Sequence, residues 1–146
     1  MKILPPTVFF TVAALMALAH FVVPGPTLLP GSARLLGVPV FAAGAWINWA
    51  GAMRFHRSGT DIRAIVAPTR LITDGLYARS RNPIYLGFLA MLLGAAIGLG
   101  ETVPLVLTAA FAVVIERAYI RREEAAMARI FGADYEAYRA RVRRWL

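Results

Sequence analysis

The chain has no cysteine, so neither a disulfide nor a thiolate nucleophile is available to it. It has two histidines, His20 and His56, too few and too far apart to suggest a metal centre. Charge is scarce as well: only 16% of the 146 residues are Asp, Glu, Lys or Arg. With 59% hydrophobic residues and a mean hydropathy of +0.61, a soluble fold of this length could not bury its apolar surface. These shortages describe a membrane protein. There is no repeat, no low-complexity tract and no linker, so one domain over residues 1–146 is expected.

What charge there is has one dominant sign, 16 Lys+Arg against 8 Asp+Glu. A net charge of +8 would suggest a nucleic-acid partner in a soluble protein. Here it marks cytoplasmic loops facing anionic lipid, and no nucleic acid is expected.

Four apolar runs follow one another. The first, residues 6–23, is long for the core of a signal peptide and has no small-x-small cleavage site after it, so it is taken as a transmembrane helix. Pro24-Gly25-Pro26 ends it. The second covers residues 35–53 and contains Gly44, Ala45, Ala50 and Gly51, small residues that let membrane helices approach closely. Trp46 and Trp49 suit either an interface or the interior of the bundle. Runs three and four, 84–99 and 102–118, are joined so tightly that they predict an antiparallel hairpin, with Gly98-x-Gly100 as its turn. Residues 121–130 and 133–144 then read as two short amphipathic helices separated at Phe131-Gly132. The expected fold is an all-α integral membrane protein of about four transmembrane helices with a cytoplasmic amphipathic helical tail.

Lys2, the six arginines between Arg54 and Arg81, and the eight from Arg117 onward all belong inside by the positive-inside rule. The loops holding Arg34 and Glu101 then lie outside. Both termini are predicted to be cytoplasmic, in a membrane of the bacterial inner type.

The polar, turn-rich stretch from Leu71 to Gly87 separates the two apolar halves. Thr73-Asp74-Gly75 predicts a turn. Pro83 suits the first turn of a helix, with Asn82 before it as N-cap. A helix start flanked by Arg79 and Arg81 can receive an anionic ligand, or the arginines only meet lipid phosphate. Glu123-Glu124, beside Arg121-Arg122, would by itself be a solvated helix face. Residues 69–87 and 119–143 nevertheless meet the membrane on the same side, where a site could open both to cytosolic cofactor and to lipid.

Leu71-Ile-Thr-x-Gly-x-Tyr77, Arg81-Asn-Pro-x-Tyr85-x-Gly87, Glu123-Glu124 and Phe131-Gly132-x-x-Tyr135-x-x-Tyr138 with Arg141-Val142 follow in order around a helical hairpin. This pattern, over residues 60–143, resembles the isoprenylcysteine carboxyl methyltransferase family. Phospholipid N-methyltransferases resemble it too, as does the C-terminal half of the NADPH-dependent sterol reductases. The resemblance implies S-adenosylmethionine as cofactor. It would be lined by the backbone of Thr69, Arg70, Leu71 and Ile72, contacted by Tyr77, Asn82, Pro83, Ile84 and Tyr85, and held by Glu123. Glu123 suits the methionine ammonium or a ribose hydroxyl. In three places the chain departs from the family. Asn82 stands where histidine is frequent, Arg143 replaces a proline, and Tyr119 occupies the position of an arginine that grips the substrate carboxylate.

The implied reaction asks little of side chains, because a sulfonium carries its own leaving group and the enzyme must align the acceptor and exclude water. No catalytic residue is therefore named. The implied acceptor is a lipophilic small molecule or lipid entering from the bilayer. On a continuous α-helix, Glu116 and Tyr119 lie about 20° and about 40° from Glu123. An arginine-free face carrying Glu116 and Tyr119 as substrate-binding residues would favour a cationic or neutral acceptor. Alternatively, Glu116 pairs with an arginine from the polar stretch. The rival functions are an NADPH-dependent reductase and a non-catalytic membrane scaffold.

Overall fold

The computed structural model describes residues 4–57 and 70–146. Residues 58–69, Thr69 and Arg63 among them, lie outside the described residues. Among those described, the chain forms seven α-helices and no strand. They are α1 (Pro5–Val22), the single turn α2 (Gly31–Arg34), α3 (Gly37–Arg57), α4 (Pro83–Leu99), α5 (Thr102–Ile115), α6 (Arg121–Phe131) and α7 (Ala133–Arg141). A 3-10 turn, Gly75–Ala78, lies before α4, and a π turn, Glu116–Ile120, joins α5 to α6. Three stretches, Pro5–Val22, Gly31–Arg54 and Thr102–Phe131, are long and apolar enough to cross a membrane, and α4 is a shorter apolar helix of 17 residues.

Glycine brings α3 and α4 together. Gly37, Gly44 and Gly51 recur every seven residues on α3, as Gly87 and Gly94 do on α4, so each set forms one stripe along its helix. A Cβ on Gly94 would sit 2.4 Å from the backbone nitrogen of Phe41, and one on Gly44 would sit 2.6 Å from that of Met91. Backbone therefore lies on backbone, the arrangement small residues permit between membrane helices. Asn48 adds a polar tie, its Nδ2 donating to the carbonyl of Ile84 at 3.0 Å.

On the other side α4 packs on α5, and α1 closes against both. Phe9, Met16, Leu92, Ala96, Phe111, Ile115 and Ile120 form the shared core with Tyr85. Much of the rest of α1 and α3 faces outward, including Phe10 and Phe21. Trp46 and Trp49, each 59% exposed, point out of the bundle. An apolar exterior of this kind needs lipid rather than water around it.

The end of the bundle remote from residues 71–87 is tied by His20, whose Nδ1 lies 2.9 Å from Glu101 Oε1, and by Leu28, whose N–H donates to the carbonyl of Gly100. Gly100 closes α4 in the left-handed region, φ +70°, directly beneath the Arg34 side chain. The predicted turn of the hairpin is here.

Candidate active site

At the opposite end, the segment before α4 and the last two helices are laced into one body. Leu71 and Ile72 run as open chain into the turn at Gly75, which has φ +61°. Arg54, at the end of α3, holds this turn through Asp74, its Nε donating to Oδ1 at 3.0 Å. Tyr77 is buried, and its carbonyl accepts the hydroxyl of Tyr138 at 2.7 Å. Tyr138 packs with Tyr135 and Val142, and Leu71 leans on the same cluster. Burial, with Tyr138 and Glu123 close by, pushes the Tyr77 phenol well up, so it remains a protonated donor.

Pro83 starts α4 as its sequence position predicts. Asn82 occupies the N-cap position, but its side chain does not cap the helix. Instead its Nδ2 donates to the carbonyl of Arg144 at 3.1 Å, while its own N–H donates to Ser80 Oγ at 3.2 Å. The tail competes successfully for the amide because its carbonyl, lying in a part-buried position, needs a donor.

Arg81 is likewise committed to the tail. Its guanidinium, only 9% exposed, donates to Glu124 Oε1 at 2.9 Å and to the carbonyls of Arg139 and Val142. It fastens the tail to the start of α4 and is not held out for an anionic ligand. Arg79 is exposed. Glu124, which sequence reasoning treated as part of a solvated face, takes both Arg81 and Arg144 and is 12% exposed. No sequence pattern announced this, because its two partners lie 43 and 20 residues away.

Glu123, one residue earlier, has a different environment. Its Oε1 accepts the Tyr85 hydroxyl at 2.6 Å, and no ion pair involves it among the described residues. Tyr85 is buried, Glu123 is half-buried, and Tyr77 is near enough to feel its charge. Tyr77, Tyr85 and Glu123 are thus brought to one place, with Leu71 and Ile72 on the chain entering it. Pro83 is buried beside Gly51, and the Ile84 carbonyl is taken by Asn48. Arg70 is exposed.

The arginine-free face expected around Glu116 does not form. The π turn interrupts the α-helical advance between Glu116 and Glu123, so positions computed for a continuous α-helix no longer superpose. Glu116 Oε1 is held by Arg144 at 3.0 Å and by Arg121 at 3.1 Å, and Trp145 approaches Oε2 at 3.5 Å. Pairing with arginine therefore prevails, with the arginines coming from the tail and α6 rather than from residues 54–81. Tyr119 packs against the bundle core near Tyr85.

The phospholipid methyltransferase family model matches residues 32–134, from α2 to the start of α7. That is more than half of the sequence. The chain belongs to this family. It is also 37% identical over 94 residues to the protein-S-isoprenylcysteine O-methyltransferase of Schizosaccharomyces pombe. The alignment covers 59% of this chain but 39% of that protein, so the family member described here spans well under half of its relative's length. No solved structure matches the chain.

Glu123 thus lies among tyrosines with no arginine paired to it among the described residues. Glu123 has acceptor capacity beyond the Tyr85 bond, which an ammonium or ribose hydroxyl can use. Glu124, already neutralised twice, has no such role.

Proposed function

We propose that the chain is an integral membrane methyltransferase using S-adenosylmethionine, with a lipophilic acceptor that enters from the bilayer. Four spans are proposed, α4 among them, with residues 71–87 and the α6–α7 tail on the cytoplasmic side and both termini there. The contrast between Glu123 and Glu124 carries the proposal, supported by family membership. Adjacent carboxylates are treated differently, one closed by two arginines and the other left with a tyrosine.

When bound, the cofactor supplies an activated methyl group on a sulfonium. Glu123 holds a polar group of the cofactor, and Tyr85 orients Glu123 through its hydroxyl. Tyr77 closes the side towards α7, and the backbone of Leu71 and Ile72 lines the entrance. Arg81 and Arg144 keep α6 against the start of α4, which limits water near the transferring methyl. No general base is required for a carboxylate acceptor; an ammonium acceptor must first lose a proton. Because Glu116 is held by two arginines, it is not assigned that proton.

Calorimetry on detergent-solubilised protein with S-adenosylhomocysteine and NADPH tests the function. S-adenosylhomocysteine is expected to bind and NADPH is not. Binding of NADPH alone places the protein with the reductases, and binding of neither supports a scaffold. A labelled-methyl assay on N-acetyl-farnesylcysteine and on amine-bearing lipid then identifies the acceptor class.

A further inference from the structure

The last five residues return from α7 across the start of α4, beyond residue 134 where the family match ends. Within them Arg144 touches three separate parts of the fold. Its carbonyl accepts Asn82 Nδ2 at 3.1 Å and Ser80 Oγ at 3.4 Å. Its guanidinium reaches Glu124 on α6 at 2.8 Å and Glu116 on the π turn at 3.0 Å. Trp145, the next residue, also approaches Glu116, at 3.5 Å, but reaches neither Glu124 nor Asn82; its ring lines an apolar groove of about 190 Å³ between α4 and α5, with Leu86, Leu89, Ala112 and Val113.

We propose that Arg144 is a positioning residue for the cofactor side of the site, acting through Glu124 and Asn82 on the relation between Glu123 and Tyr85. The inference rests on the methyltransferase function proposed above. Glu123 stands on α6 and Tyr85 on α4, and they are joined by one hydrogen bond. The fork of Arg144 fixes α6 by way of Glu124, and its carbonyl fixes the entry to α4 by way of Asn82. A planar guanidinium can serve two carboxylates at once, whereas an ammonium is a point charge and serves one well. Trp145 belongs to the same returning segment but does not contact Glu124 or Asn82, so it provides an internal comparison for a role in folding alone.

The test is the affinity of full-length protein for S-adenosylhomocysteine, measured beside its melting temperature. Arg144→Ala is expected to weaken binding about tenfold or more, Arg144→Lys to recover part of the loss, and Trp145→Ala to change affinity less than about twofold. If the alanine variant does not fold, Arg144→Gln, which keeps a donor and most of the bulk, takes its place. Equal affinity losses in the Arg144 and Trp145 variants, tracking the loss of melting temperature, would show a structural strap only and overturn the proposal. Unchanged affinity in the Arg144 variants would overturn it too, while leaving the methyltransferase function intact. Failure of the unmodified protein to bind S-adenosylhomocysteine would overturn both.

Discussion

The hydroxyl of Tyr85 lies 2.6 Å from Oε1 of Glu123. Tyr85 belongs to the first turn of α4, whereas Glu123 follows the π turn in a helix that runs on from α5, so the bond joins the start of one helix to the middle of another. Glu123 is held there in a half-buried position, with one tyrosine hydroxyl on its Oε1.

Glu123→Ala is expected to lower the binding free energy of S-adenosylhomocysteine by about 1.5–3 kcal/mol, the range for a hydrogen bond to a charged group. Tyr85→Phe, which removes only the orienting hydroxyl, should cost about 0.5–1.5 kcal/mol. Titration calorimetry on the two variants checks the order. Normal binding by Glu123→Ala would remove Glu123 from the site.

A second expectation separates Arg81 from its neighbour Arg79. Arg81→Ala leaves two carbonyls without a donor and Glu124 with Arg144 alone, and should destabilise the protein by about 2–3 kcal/mol. This is less than the roughly 3–5 kcal/mol for breaking a buried pair outright. Arg79→Ala, at an exposed position, should stay within about 0.5 kcal/mol. Denaturation in detergent compares them, and equal effects would mean that the buried clamp contributes nothing.

For the helix pair, Gly94→Ala and Gly98→Ala form the comparison. A Cβ at Gly94 meets the α3 backbone at 2.4 Å, whereas one at Gly98 meets nothing within 4 Å. Gly94→Ala should destabilise by at least about 1–3 kcal/mol, because backbone cannot move aside as a side chain can. Gly98→Ala should be neutral or gain up to about 1 kcal/mol from helix propensity. Similar melting temperatures for both would contradict the close approach of α3 and α4.

Sequence alone determined the elements that depend on local chemistry. Pro5 and Pro83 lie where helices begin, because a missing N–H costs nothing in a first turn. Gly100 and Gly132 lie where they end, because both need positive φ. Apolar runs of membrane length set α1, α3 and α5, and the block order around Tyr77, Tyr85 and Glu123 was enough to indicate the family. What the tertiary structure decided was how each polar side chain is satisfied. Asn82 could cap α4, Arg81 could meet an anion, and Glu116 could face an acceptor, since all of these are compatible with the local sequence. The far end of the chain decides all three: Arg144 takes Asn82 and Glu116, while Glu124 and the carbonyls of Arg139 and Val142 take Arg81. A buried charge takes the strongest partner that folding brings within reach. Which partner that is depends on contacts 20 to 62 residues apart, beyond the reach of any local pattern.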